Sequence, residues 1–297
     1  MQAVLGLFIV EDCGRFRKNS YSKKFAFKFL FDKINNEEII IHNKLKHKNI
    51  TQIIGIHSLL KKDDVIGMEF AKFGDIINFK KKFVKRTPLS EALLLYIAGG
   101  ILEALKYIHI KHKIIHMDIK QQNILIDEFL TIKLTDFSVS VNYKSAKDYI
   151  DLPMVGTCYY MSPEVLKKKR ILVNEASKID IYSLGVLLYL LAFYDYPYKL
   201  NEVNTENYFQ ISKNIEDNKL EFPEETNYSK VFKNFLKNCL NKDIKKRYDI
   251  YQAMKDPWIK GYQIILNEKE NLYFNQIFIV GLIIGGILEL KNVYNEN

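Results

Sequence analysis

The chain has 297 residues and a mass of 35.0 kDa, enough for one two-lobed enzyme or two small domains. Hydrophobic residues make up 48% of it, which excludes a disordered chain, and Cys13, Cys158 and Cys239 stand too far apart for a metal cluster or disulfide framework, which points to a reducing, cytoplasmic compartment. The net charge of +9 is carried partly by clusters at Lys80–Lys82, Lys167–Arg170 and Lys245–Arg247; none is interleaved with stacking aromatics, so they read as solvated helix faces and not as a nucleic-acid surface.

Met1 to Gly6 has apolar residues with no basic run before them, which argues against a secretory signal. Lys24 to Leu30 has the composition of a buried strand. Glu37 to Lys46 reads as a helix whose apolar stripe is Ile40, Ile41 and Leu45. Val65 to Phe70 is a further strand, and Gly74-Asp75 then punctuates the chain as a hinge. Beyond that point helices dominate. Ile97, Ile101, Leu105 and Ile108 share one face of a long helix that starts near Ser90 or Glu91. Ile124–Ile126 and Thr131–Leu134 form a hairpin around Asp127-Glu128, and residues 136–164 read as a long, irregular functional loop. Helical patterning resumes at Asp180–Leu191 and Val231–Leu240.

The chemistry concentrates in His116-Met117-Asp118-Ile119-Lys120-Gln121-Gln122-Asn123 and the following Asp136-Phe137-Ser138. Phosphoryl transfer from a nucleotide needs such a set: a carboxylate to accept the alcohol's proton, a cation near the γ-phosphate, and oxygen ligands for Mg²⁺. These segments resemble the H-R-D-L-x-x-x-N catalytic loop and D-F-G metal-binding loop of the protein kinase family. Further motifs follow in the family's order. Phe25-Ala26-Phe27-Lys28 resembles its V-A-I-K strand, Met68-Glu69-Phe70-Ala71 its gatekeeper and hinge, and Gly156-Thr157-Cys158-Tyr159-Tyr160-Met161-Ser162-Pro163-Glu164 its G-T-x-x-Y-x-A-P-E.

The resemblance implies an α+β, bilobal kinase-like fold. A small antiparallel sheet with one helix, residues 1 to about 70, precedes a larger, mainly helical lobe, about 75–262. It implies ATP and Mg²⁺ between the lobes and serine or threonine hydroxyls of proteins as acceptors. Asp118 would be the catalytic base, with Lys120 and Thr157 beside it as in serine/threonine kinases, and Asn123 and Asp136 would hold the metal. Lys28 would pair with the α- and β-phosphates and Glu38 would orient it, Glu37 being the alternative. Ala26 and Leu125 would contact the nucleotide, as would Gly6 at the family's first loop glycine. Main-chain groups of Glu69 and Ala71 would bind adenine, so that side-chain identity matters little there. Asp75 would contact ribose or cap a helix. Glu164 and Arg247 match a bracing ion pair, and Asp180 the residue that anchors the catalytic-loop backbone.

Six positions depart from the pattern. Phe8 and Glu11 occupy the second and third glycine positions of the phosphate loop, where glycine lets backbone N–H groups approach phosphate. Met117 replaces the arginine of H-R-D, and Pro153 stands three residues before Gly156, where the family carries the phosphate that this arginine receives. Donor and receiver are missing together, which implies activity without phosphorylation at that place. Ser138 replaces the glycine of D-F-G, and Gln122 a glutamate of arginine-selecting kinases. The alternative to an enzyme is a pseudokinase, a binding module on the same fold. Past residue 262 the resemblance ends. The apolar run Ile277–Leu288 would be about 18 Å long as a helix, short of a bilayer core of about 30 Å, so docking on the larger lobe is favoured over a membrane tether.

Overall fold

The computed structural model describes residues 10–11, 24–31, 36–59, 63–84, 88–202 and 207–271; Gly6, Cys13 and the run 277–288 lie outside these. Strands β1 (Val10–Glu11), β2 (Lys24–Phe31), β3 (Ile53–Leu59) and β4 (Asp63–Glu69) form an antiparallel sheet in the order β1-β2-β4-β3. The period of two along β2 turns Ala26 and Lys28 to one face, opposite Met68 and Ile66 of β4. On that face Ile53, Ile66 and Met68 form a small apolar cluster with Ile39 of helix α1 (Asn36–His42) packed against it. Strand β3 was not anticipated: its irregular register between Ile53 and Gly55 interrupts the alternation that would have marked it.

Helix α1 corrects one expectation. Its buried positions are Glu38, Ile41 and His42, with Leu45 beyond its end, while Ile40 is 51% exposed. A helix presents positions three, four and seven apart on one face; counting from Glu38 that face takes Ile41, His42 and Leu45 and leaves Ile40 outside.

The larger lobe is built on α3 (Glu91–Lys106), which follows the short α2 (Ile76–Phe79), and on α5 (Ser177–Phe193). Ser90 caps α3 by accepting from the Leu93 N–H at 3.2 Å. Ile97, Ile101, Leu105 and Ile108 are buried as expected, but so are Leu94, Leu95, Ala98 and Leu102, because this helix is enclosed on all sides. Its Gly99 lies under the Tyr262 ring of α9 (Pro257–Asn271), where an added Cβ would come within 2.3 Å of that ring. Helices α4 (Pro163–Leu166), α6 (Tyr208–Asp217), α7 (Lys230–Cys239) and α8 (Ile250–Lys255) complete the lobe. The segments Glu91–His112 and Val173–Phe193 are long and apolar enough to cross a membrane, but both lie in this core.

Three small antiparallel pairs position the loops: β5 (Ile114–Ile115) with β8 (Val141–Asn142), β6 (Ile124–Ile126) with β7 (Ile132–Leu134), and β9 (Tyr149–Asp151) with β10 (Arg170–Leu172). Residues 136–164 are therefore less irregular than their polarity suggested. Tyr143, Ile150 and Leu152 are buried and fasten the segment to the lobe.

Among the described residues, main-chain hydrogen bonds join the lobes at two places. The Thr51 N–H donates to Leu134 O at 2.9 Å, and the Leu134 N–H returns a bond of 2.9 Å to Asn49 O. The Phe73 N–H donates to Ile126 O at 3.0 Å, and the Ile126 N–H donates to Gly74 O at 2.8 Å.

Candidate active site

Lys28 emerges from β2 into a buried gap between the lobes. Its ammonium lies 2.6 Å from Glu38 Oε1 and 2.8 Å from Asp136 Oδ1, with only 4% of the residue exposed. Glu38 is the buried partner and Glu37 is exposed. Burial by itself would lower the Lys28 pKa, but the Asp136 and Glu38 charges outweigh it and raise it. Burial would likewise raise the Asp136 carboxyl, yet Lys28 and the Ser138 N–H, 3.4 Å from Oδ1, hold it down to about 2. Asp136 therefore stays ionised at neutral pH. It adopts φ 65°, a left-handed conformation uncommon for a residue with a Cβ.

Phe137, next to Asp136, is buried between two histidines. Its ring centroid lies 4.8 Å from that of His116 and 4.7 Å from that of His42 on α1. His42 Nε2 lies 2.6 Å from Thr51 O, so this nitrogen carries the proton. Burial lowers the His42 pKa to about 4 and keeps the ring neutral.

Asp118 is 7% exposed and every acceptor position of its carboxylate is engaged. Oδ1 accepts from the Thr157 N–H at 2.9 Å and the Thr157 hydroxyl at 2.8 Å. Oδ2 lies 2.6 Å from the Lys120 ammonium and accepts from Asn123 Nδ2 at 3.0 Å. Lys120 also donates to the Thr157 hydroxyl at 2.8 Å, closing a ring of three side chains. Gly156 has φ +103° and a Cβ there would meet Met117 O at 2.5 Å, so the chain can bring Thr157 this close to Asp118 only through a glycine.

The loop that carries Asp118 is held from below. Asp180, fully buried on α5, accepts from the His116 N–H at 2.8 Å and the Met117 N–H at 2.9 Å, and His109 Nε2 lies 2.7 Å from it. Burial would raise the Asp180 pKa, but His109 and His116 outweigh it and lower it. Met117 itself sits at φ 70°, strain that these two bonds offset. Lower in the lobe, Arg247 grips Glu164 with two bonds of 3.0 and 3.1 Å, both residues being buried.

The two halves meet through the main chain: the Thr135 N–H donates to Asn123 O at 3.0 Å, which sets Asp136 beside Asn123. Among the described residues no cluster of three or more His, Cys, Asp or Glu could by itself hold a metal. The Asn123 amide nitrogen is used on Asp118, which leaves its oxygen to face a cation beside the Asp136 carboxylate. That pair fits Mg²⁺, which keeps several waters and takes its remaining ligands from phosphate.

Of the other nucleotide positions, Ala26 is buried on the Lys28 face of β2, and Leu125 on β6 bridges to Asp75. Asp75 caps α2, its Oδ1 accepting from the Asn78 N–H at 2.7 Å. The Glu69 N–H is taken by Gln52 O and the Ala71 carbonyl by the Gly74 N–H, each at 3.0 Å, so adenine contacts at the hinge fall to the Glu69 carbonyl and the Ala71 N–H. The Glu69 side chain, expected to be immaterial, accepts from the Lys133 ammonium at 2.8 Å and the Gln52 N–H at 2.9 Å. Sequence reasoning missed this; the only local signal was a carboxylate at the end of a strand, which names no partner. His42 and His109 were missed for the same reason, since each acts through contacts made far along the chain.

Comparison with known proteins agrees with this geometry. A family profile described as the protein kinase domain matches residues 13–259. The chain is 36% identical over 225 residues to serine/threonine-protein kinase dst2 of Dictyostelium discoideum, a match covering 75% of this chain and 19% of that protein. It is 32% identical over 224 residues to serine/threonine-protein kinase pakB of the same organism, covering 75% and 25%. To serine/threonine-protein kinase CLA4 of Saccharomyces cerevisiae it is 34% identical over 214 residues, covering 71% and 24%. The chain thus spans about a fifth to a quarter of the length of these relatives. It belongs to the protein kinase family, with relatives of the serine/threonine type.

Proposed function

We propose that this chain catalyses transfer of the γ-phosphoryl group of ATP to serine or threonine hydroxyls of a protein substrate. The observation that carries this reading is the ring of Asp118, Lys120 and Thr157, set beside Asn123 and Asp136. A chain that only binds a partner has no chemical need for all of these groups.

The full occupancy of Asp118 suggests how the reaction begins. An incoming hydroxyl needs a lone pair on that carboxylate, and Lys120 is the donor free to leave. The γ-phosphate, carrying more negative charge than one carboxylate, would draw the Lys120 ammonium across and vacate a position on Oδ2. The substrate hydroxyl then donates to Oδ2. As its oxygen bonds to the γ-phosphorus, the bond to the bridging oxygen of ADP breaks and the proton passes to Asp118. Thr157 keeps Oδ1 fixed throughout. Lys28 has three N–H donors, two engaged by Glu38 and Asp136, so the third is available to the α- and β-phosphates. When bound between Asn123 and Asp136, Mg²⁺ would neutralise phosphate charge.

The test is incubation with radiolabelled ATP, Mg²⁺ and a generic protein substrate, followed by phosphoamino-acid analysis. Label on serine or threonine is expected. Label on tyrosine, or none at all, would contradict the reading.

A further inference from the structure

Two chain segments lead away from Asp118 and Thr157 and meet again at Lys80. On one side α2 packs against the turn Gln121–Asn123 of the catalytic loop, and Asp75 at its start bridges to Leu125. On the other, the rings of Tyr159 and Tyr160, which follow Thr157, lie 4.8 and 5.9 Å from that of Tyr196. Tyr196 belongs to the turn after α5, and Tyr194 closes that helix at φ 57°. The two borders join where the Lys80 ammonium sits 3.6 Å from the centroid of the Tyr194 ring.

Lys80 is not the solvated lysine that its neighbours in the chain suggest. Lys81 and Lys82 are exposed, whereas Lys80 ends α2, its N–H bonded to Ile76 O and Ile77 O, and is partly buried. Burial lowers its pKa to about 8, and no carboxylate among the described residues offsets that. Asp195, beside Tyr194, turns Oδ1 to the Tyr196 N–H at 2.7 Å, and Asp75 turns Oδ1 to the Asn78 N–H at 2.7 Å. Tyr194 offers the ammonium a π face and no full charge. Gln122, exposed on the turn that carries Asn123, is neutral as well. The surface between these borders therefore holds a cation that is still protonated at neutral pH and short of a counter-charge. Such an ammonium recovers the hydration lost on burial by donating to an anion that arrives with the substrate.

We propose that Lys80, held on the Tyr194 ring, is a specificity-determining residue that selects acceptor proteins with an anionic side chain a few residues from the phosphorylated serine or threonine. The proposal rests on the kinase reading above for the reaction itself. Five residues of helix set Lys80 about 7.5 Å along the axis from Asp75, and a packing distance of about 10 Å separates α2 from the catalytic loop, so an extended peptide covers the span in about four to six residues.

The test uses the full chain and a serine-centred peptide library in which each flanking position is fixed in turn as glutamate, phosphoserine, alanine or arginine, with transfer from radiolabelled ATP as the readout. At one position within about six residues of the serine, the wild type is expected to favour glutamate over alanine by roughly threefold to tenfold, the scale of a partly buried charged contact, and to disfavour arginine. Phosphoserine there should act at least as strongly as glutamate, since it carries more charge; an advantage above about tenfold assigns a phosphorylated protein as the source of the anion, a smaller one an acidic sequence. Lys80→Met should bring the glutamate-to-alanine ratio at that position close to one. Lys80→Glu should reverse the preference in favour of arginine, a gain that no folding defect would produce. A wild-type ratio within about 1.5-fold of one at every position, a penalty for phosphoserine, or a preference that survives both substitutions would overturn the proposal. Failure to transfer label to any peptide would overturn the kinase reading itself, so the two failures are distinguishable.

Discussion

Asp180→Asn gives the sharpest account of how the fold supports the site. The carboxylate takes two loop N–H groups, from His116 and Met117, on separate oxygens. An amide has one acceptor oxygen, so its NH₂ must face one of those donors. One charge-assisted bond is lost, about 1.5–3 kcal/mol, and a buried N–H is left against a donor, about 1–3 kcal/mol more. The Met117 left-handed conformation, costing about 1–2 kcal/mol, then has less to hold it and relaxes. Relaxation moves Asp118, the next residue. A displacement of about 1 Å is enough for a loss on the order of 100-fold in transfer rate. Nucleotide binding should change little, because Lys28, Glu38 and the hinge do not touch this loop. The assay is urea unfolding alongside ATP affinity and single-turnover transfer. Stability should fall by about 2–4 kcal/mol, with transfer falling at least about 100-fold and affinity held. Transfer within threefold of the wild type, roughly 0.7 kcal/mol in barrier, would refute the anchoring role.

Other expectations follow from the same geometry. Lys28→Met leaves Glu38 and Asp136 facing each other without a cation, so it should destabilise the fold by about 3–5 kcal/mol as well as abolish transfer, which parallel unfolding and activity assays would check. His42 ionises near 6.5 when free and at about 4 in the fold, so between these values only the unfolded chain takes up the proton. Stability should therefore fall as pH drops through this window, by about 3 kcal/mol in all, and urea titrations of His42→Leu across it should show a shallower fall. Met117 and Pro153 leave the segment after Asp136 with no phosphate-receiving pair of the usual kind, while Ile150, Leu152 and Ile171 fasten it by burial. Phosphatase-treated protein should keep its activity within about twofold; a tenfold loss reversed by phosphorylation within residues 136–164 would contradict this.

Much of this was legible in the sequence where the relevant spacing is local. The alternation Ala26, Lys28 needs only the period of a strand. Asp118 to Asn123 is one contiguous stretch. The hairpin Ile124–Leu134 and the Ser90 cap are equally local. What could not be read depends on distant partners. Ile40 was misplaced because three adjacent isoleucines do not say which of them the sheet covers. The buried contacts of Tyr143, Ile150 and Leu152, which turn a polar loop into an ordered segment, follow from pairing with β5 and β10. Glu69 looked immaterial because its partner, Lys133, lies 64 residues away.

The central claim is that Asp118 accepts the proton in phosphoryl transfer and does not merely brace the loop. Single-turnover transfer and ATP affinity, measured in parallel for wild type and Asp118→Asn, test it most directly. Asparagine can still accept from Thr157 but cannot take the proton. The account requires transfer to fall by at least about 100-fold with ATP affinity unchanged. Equal transfer rates, or a loss explained wholly by weaker ATP binding, would contradict it.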